Sequence, residues 1–278
     1  MEIKDLLSTG FRFKKNLGQN FITDGNLLRA VVLDAGITKD DTVVEIGTGA
    51  ATLTKELCKQ AKKVITFELD KDLSSIIKNN LADFDNYELH FADVLKVSDE
   101  ELKVWVPEKF KVVANLPYYV TTPMIMRFLE SELDVTSMTL MMQKEVAERL
   151  TAKHDTPEYG AITVAVNAVA DVSVTRIIDR RIFFPAPNVD SALVRIDFRK
   201  DKYAFKDFTT FKKTARAAFL MRRKTLANNL VASFAIDKFT AETLLESCGF
   251  SKTIRGEALS VEDLIRLSDA IFDVTDRV

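Results

Sequence analysis

Four consecutive residues, Asn115-Leu116-Pro117-Tyr118, carry the most specific chemistry in this chain. They end the apolar, β-branched run Val112-Val113-Ala114, which predicts a buried strand delivering a rigid loop. Pro117 fixes its own φ and biases Leu116 toward extended backbone, so carbonyls of the loop can be held outward as acceptors. Asn115 adds a side-chain carbonyl beside them, and Tyr118 a flat face and a hydroxyl. Asn115 and Leu116 can then take both hydrogens of an exocyclic amine while a ring stacks on Tyr118. A second aromatic is expected opposite, at Phe183, where Pro185 and Pro187 make the segment up to Ser191 stiff and extended. Tyr118 and Phe183 on facing loops form a slot for a flat base.

The elements that must position this set are readable around it. Thr42–Ile46 is a predicted strand, which Gly47-Thr48-Gly49 turns into a helix through Leu53, Leu57 and Ala61. This is the opening unit of a Rossmann-like sheet, whose glycines let a ligand approach the backbone. The next strand, 63–67, ends at Glu68, which lies 21 residues after Gly47. That spacing suits an acid holding ribose hydroxyls at the neighbouring strand end. A third strand, 87–91, ends at Asp93, and the fourth is the Asn115 strand. A polar group or glycine at each of these ends sets one ligand across the carboxyl edge of a parallel sheet. A pyrophosphate cradle usually has a third glycine, where this chain has Ala50 and Ala51, and Glu45 sits badly beside phosphates. S-adenosylmethionine, with ribose and adenine but no phosphate, suits the carboxylates better than NAD does. The segment 11–22 mixes basic, amide and aromatic residues without periodicity and reads as an arm across the site's mouth.

Downstream, Met124–Leu129 is expected as a helix following Thr121-Thr122-Pro123, and 136–143 as a strand whose methionines pack in the core. A helix is expected over 146–152. The apolar run 160–170 reads equally as helix or strand, and 192–196 as a strand. The charged stretch 199–207 resembles a linker. Beyond it, 211–230 has apolar residues at helical spacing and six basic residues without an acid. Two further helices follow, 241–248 and 261–272, the second capped by Ser260 with Asp263 three residues on. The expected division is therefore 1–199, an α/β domain, and 200–278, a small all-helical domain.

The totals set bounds. With 47% hydrophobic and 29% charged residues the chain is an ordinary globular one, and its 278 residues allow one large and one small core. A net charge of -2 excludes a uniformly basic coat, so nucleic-acid contacts must come from local clusters. Two isolated cysteines, with no Cys-x-x-Cys, exclude a disulfide framework or zinc ribbon and suit a reducing cytosol. The two histidines are too scattered for a metal site, so no metal is expected. No apolar run approaches the ~20 residues of a membrane span, and the start lacks a signal peptide's apolar core. A cytoplasmic protein is expected.

Read together, Asn16-Leu17-Gly18-Gln19-Asn20-Phe21, Glu45-Ile46-Gly47-Thr48-Gly49, Asn115-Leu116-Pro117-Tyr118, Phe183 to Ser191 and Arg222-Arg223-Lys224-Thr225-Leu226 resemble the ribosomal RNA adenine N6,N6-dimethyltransferases, in the same order and over nearly the whole chain. The likeness is to the bacterial small-subunit branch. It implies a class I methyltransferase sheet with a helical C-terminal domain. It implies that Asn20, Ile22, Gly47, Gly49, Glu68, Asp93 and Asn115 hold S-adenosylmethionine, Glu68 on the ribose and Asp93 near the adenine amine. It also implies that two adjacent adenosines in the 3′-terminal hairpin loop of small-subunit (16S) rRNA each receive two methyl groups, in ribosome biogenesis. Asn115, Leu116, Tyr118 and Phe183 are the expected catalytic residues. Lys14, Lys15, Lys212, Lys213, Arg216, Arg222, Arg223 and Lys224 are the expected RNA contacts. The expected partner is small-subunit rRNA or the immature 30S subunit, met by a monomer and without a membrane. Departures are Thr48 for a usual proline, Asn188 for a common lysine, which weakens one phosphate contact, and Met221 where a polar residue often stands. The rivals are a same-fold large-subunit rRNA methyltransferase of macrolide resistance, a non-catalytic RNA-binding assembly factor, and an NAD-dependent oxidoreductase. The basic triplet and long C-terminal domain disfavour the first, Glu68, Asp93 and Asn115 the second, and the loop the third.

Overall fold

The structure, a computed structural model, describes residues 14, 18, 20–22, 24–199 and 201–275. Its strands are β1 (Phe21–Ile22), β2 (Thr42–Ile46), β3 (Lys63–Phe67), β4 (Tyr87–His90), β5 (Phe110–Asn115), β6 (Val135–Gln143), β7 (Ala170–Ile178), β8 (Phe183–Phe184) and β9 (Ser191–Phe198). They form a seven-stranded sheet, ordered β4-β3-β2-β5-β6-β9-β7, and a two-stranded sheet of β1 with β8. From β4 to β6 all neighbours are parallel, and β9 returns antiparallel to β6. Val43, Val64, Ile65, Val112 and Val113 are buried outright, as central parallel strands covered on both faces require. These are the continuous β-branched runs from which the strands were expected.

The chain lays β2, β3 and β4 outward in one direction and then crosses back to place β5 on the other side of β2. The strand order therefore reverses between β2 and β5, and their carboxyl ends splay around the crevice where ligands bind in open α/β sheets. The register pairs Ile46 with Ala114, so Gly47 and Asn115 leave the sheet side by side.

The chain divides into two compact units, Met1–Ala147 with Ser173–Phe198, and Glu148–Val172 with Arg199–Val278. The second unit thus gains a segment that a single break at 199/200 does not foresee. Tyr159, Val164 and Ala168 join Phe211, Leu226, Leu244, Leu264 and Ile271 in one buried core, which draws 148–172 to the helices. The ambiguous apolar run resolves as the helix Ala161–Asn167. The described part of the charged stretch, 201–207, is no loose linker either. Lys202 donates to the Ala170 carbonyl and Asp171, Tyr203 to Glu262, and Lys206 to Asp273.

Two helices depart from expectation. The one expected to begin at Met124 begins at Tyr118 and runs to Leu129 with Pro123 inside it. The basic stretch 211–230 is two helices, Phe208–Ala218 and Leu226–Phe234, with Arg222-Arg223-Lys224 in the turn between them. That turn is held from afar: Arg222 donates to the Pro157 and Tyr159 carbonyls at 2.8 and 2.7 Å, and Leu226 N to the Ile254 carbonyl at 2.8 Å. The last helix, Val261–Thr275, starts as expected, with Ser260 and Asp263 exchanging side-chain and backbone bonds. Among the described residues, no helix is long and apolar enough to cross a membrane.

Gly256 gives the tightest backbone contact of the helical unit. A Cβ there would lie 2.1 Å from the Ala218 carbonyl oxygen, a backbone atom that cannot swing away. Gly256→Ala is expected to destabilise this unit at or above the top of the ~1–3 kcal/mol range for overpacking. Urea unfolding followed by circular dichroism measures it, and an unchanged midpoint would contradict the contact.

Candidate functional site

Every residue expected at a catalytic or donor-binding position lines one cavity of the sheet unit: Asn20, Ile22, Gly47, Gly49, Glu68, Asp93, Asn115, Leu116, Tyr118 and Phe183. The topology explains this, since β2, β3 and β5 all end at the same edge and the helix from Tyr118 starts three residues past Asn115.

The β2 turn is built around Glu68. Its carboxylate accepts from Gly49 N at 2.8 Å on one oxygen and from Leu69 N and Asp70 N at 2.7 and 2.8 Å on the other. Gly47 N and Thr48 N both donate to the Phe67 carbonyl, stitching the same turn to β3. Gly47 and Gly49 have φ of 83° and 56°, the left-handed region that a Cβ disfavours. At Gly49 a Cβ would also press to 3.0 Å on the Phe21 ring. Asp93 caps its own turn by accepting from Leu95 N at 3.1 Å.

Beneath the turn lies Glu45, 1% exposed. Thr54 Oγ1 and Thr66 Oγ1 donate to its Oε2 at 2.6 and 2.9 Å. Thr66 has then used its only hydrogen, so Thr48 Oγ1, 2.6 Å away, must be the donor in its bond to Thr66. Burial pushes the Glu45 carboxyl up to about 8, against the two threonine bonds, and nearby Glu68 pushes the same way. The group is therefore neutral near pH 7, and its Oε1 has no partner.

Asn115 Nδ2 donates to the Asn20 carbonyl at 2.9 Å. A backbone carbonyl cannot donate, so the amide's orientation is unambiguous, and Oδ1 is left as an acceptor. Tyr118, the first residue of its helix, is half-buried and bonds Ser191 Oγ at 2.8 Å. Burial and the Asp190 charge raise the Tyr118 phenol above its usual range, against the Ser191 bond, which favours the protonated hydroxyl. Phe183 reaches the cavity from β8 but is only 4% exposed, most of its ring lying in the core with Ile22 and Leu193.

The arm crosses this mouth where it is described. Asn20 holds Asn115, Phe21 packs on Gly49, and Ile22 pairs with Phe183 across β1 and β8. Lys15, Asn16, Leu17 and Gln19 lie outside the described residues. Sequence reasoning missed the parts played by Phe21, Val94, Leu95 and Tyr119 in the wall, and by Ser191 behind it. Phe21 could have been found from its place next to Asn20; Ser191 carried no signal of its own, being 73 residues from its partner.

The expected RNA contacts fall into groups. Lys14 bonds Asp70 and Asp72 at 2.5 and 2.7 Å, at the rim of the β3 turn. Arg222 is committed to the carbonyls described above. Lys212 lies over the Phe208 ring and Lys213 over the Phe234 ring. Arg216 is exposed on the same helix, and Arg223 and Lys224 are exposed in the turn that follows.

The wall contains Glu68 and Asp93 and, among the described residues, no Lys, Arg or His. With two carboxyl groups and no described cation in it, this wall is a poor receptor for phosphates and a good one for a ligand that offers hydroxyl and amine donors and a positive centre.

Comparison with known proteins agrees. The family model described as ribosomal RNA adenine dimethylase matches residues 10–269. A protein of Clostridium botulinum (strain Langeland) named ribosomal RNA small subunit methyltransferase A is 44% identical over 265 residues, 95% of this chain and 96% of its own. A Lactococcus lactis protein of the same name is 44% identical over 94% of this chain and 90% of its own. Among solved structures, a dimethyladenosine transferase from Plasmodium falciparum superposes with a TM-score of 0.78 at 25% identity, over 92% of this chain and 98% of that one. The 23S rRNA methyltransferase ErmE shares the fold, with a TM-score of 0.69 at 24% identity, over 90% of this chain and 99% of that one. The chain belongs to the ribosomal RNA adenine dimethylase family.

Proposed function

We propose that this protein dimethylates the N6 amines of two adjacent adenosines in the 3′-terminal hairpin loop of small-subunit rRNA, using S-adenosylmethionine, during ribosome assembly. The observation that carries the reading is the Asn115 amide, oriented by the Asn20 carbonyl into a cavity walled by carboxylates. Family membership and the relatives named small-subunit methyltransferase support the choice of RNA.

When bound, S-adenosylmethionine supplies a methyl group already activated as a sulfonium. Glu68, held by three backbone amides, would offer the lone pair left on Oε2 to a ribose hydroxyl. Asp93 would hold the adenine amine of the donor, and Gly47 and Gly49, without a Cβ, would let the donor lie against the backbone. Asn115 Oδ1 and the Leu116 carbonyl accept the two hydrogens of the target N6, drawing the nitrogen's lone pair out of conjugation and aiming it at the methyl. Catalysis is then positioning and placed dipoles. Tyr118 stacks the flipped base, a contact worth about 1–3 kcal/mol, and Phe183 closes the slot from the other wall. The proton leaves to water once the nitrogen is alkylated and acidic. Lys212, Lys213, Arg216, Arg223 and Lys224 meet phosphates, and the enzyme acts as a monomer.

The test is transfer of labelled methyl from S-adenosylmethionine to rRNA of small subunits lacking the mark, with the modified nucleotides mapped. Label in two adjacent adenosines supports the reading, and label only in large-subunit rRNA or none overturns it. Arg223→Ala with Lys224→Ala is expected to weaken rRNA binding at all sequences and to lower the slope of log affinity against log salt by about 1.4–1.8. An unchanged slope in filter binding would remove that pair from the RNA surface.

A further inference from the structure

We propose that Ser191 is a positioning residue for the base slot, holding the Tyr118 ring in place through its hydroxyl. The inference rests on the adenine-methylating reading above and adds a residue to it. Tyr118 begins a helix, where its backbone is set by the strand before it, but nothing in that backbone fixes the ring's tilt. The 2.8 Å bond between Tyr118 Oη and Ser191 Oγ does.

Ser191 is suited to be the fixed end. It is fully buried and is the first residue of β9, paired with Gln143 at the end of β6. Its neighbour Asp190 is tied twice, accepting from Lys144 N through its carbonyl and from Arg180 N through its carboxylate, both at 3.1 Å. Arg180 in turn donates to the Asn188 carbonyl at 2.9 Å. The loop from Arg180 to Asp190, which carries Phe183, is therefore closed by its own bonds at the point where Ser191 leaves it. One hydroxyl contact joins that loop to the residue carrying the opposite wall. A ring held at its far end keeps a set tilt in the cavity that it lines with Phe183, and a base entering there meets a preformed surface.

The test compares Tyr118→Phe, Ser191→Ala and the double variant. Each single variant is expected to lower kcat for methyl transfer about tenfold, as small misplacements of a reacting group do, with S-adenosylmethionine affinity unchanged. The double variant is expected to be no slower than either single one, because both remove the same bond. Tyr118→Phe leaves β9 intact, so its loss of rate cannot come from damage to the sheet. Parent-like rates in Tyr118→Phe, or losses that multiply in the double variant, would overturn the role of Ser191. If instead the parent protein binds S-adenosylmethionine but methylates no rRNA, the underlying reading fails, and this tether with it.

Discussion

Asn115→Ala is expected to slow methyl transfer by about a thousandfold, the scale of losing a placed dipole that acts at the transition state, while rRNA affinity stays within about threefold. The separation of the two effects follows from where the amide sits. One Nδ2 hydrogen goes to the Asn20 carbonyl, within the protein, and Oδ1 is the acceptor proposed to meet the substrate. On the proposed reading RNA affinity comes from phosphate contacts of cationic side chains, to which a neutral amide adds nothing. Asn115→Asp sharpens the test, since a carboxylate places an acceptor against the Asn20 carbonyl where a donor stood. It is expected to lose rate as severely and to weaken cofactor affinity too, by loosening the arm at Asn20. Single-turnover transfer assays with filter binding on the same samples check this. An alanine variant at near-parental rate would show that the amine of the target base finds its acceptor elsewhere.

The second large effect lies under the glycine turn. Glu45→Gln is expected to change the pH dependence of stability more than any surface substitution. A carboxyl raised to about 8 in the folded protein from an ordinary value of 4.5 binds a proton in the native state that the unfolded chain has released. Stability therefore falls as pH rises from about 4.5 to about 8, by up to ~1.4 kcal/mol per pH unit, and the loss is complete above that range. Glutamine keeps the acceptor for Thr54 and Thr66 and mimics the neutral acid without titrating. The stability difference, variant minus parent, should grow on the order of a few kcal/mol between pH 5 and 8 and then level off. Urea denaturation across that range measures it, and a difference that stays flat would mean that Glu45 is ionised in place.

Much of this was legible in the chain. Strands β2, β3 and β5 are unbroken β-branched runs because parallel strands buried on both faces have no polar side to show. The spacing from Gly47 to Glu68 had to be met because one helix separates two neighbouring strands. Even the cap at Ser260 and Asp263 is local, needing only residues three apart. What escaped was set by partners distant in sequence. The helix from Tyr118 accepts Pro123 within it, and the basic run breaks at Phe219 and turns through Arg222-Arg223-Lys224, where Arg222 is held by carbonyls 63 and 65 residues away. Lys14 bonds carboxylates 56 and 58 residues on, a pairing that no local pattern announces.

Residue types, spacing and periodicity determined the parallel strands and the polar groups that end them at one edge, because those depend on backbone geometry and on which side chains must be dry. Only the tertiary structure decided the direction of the Asn115 amide, the protonation of Glu45 and the tether from Tyr118 to Ser191. Each depends on a single hydrogen bond or on loss of water between residues from separate elements, and such an arrangement leaves no periodic trace in the chain.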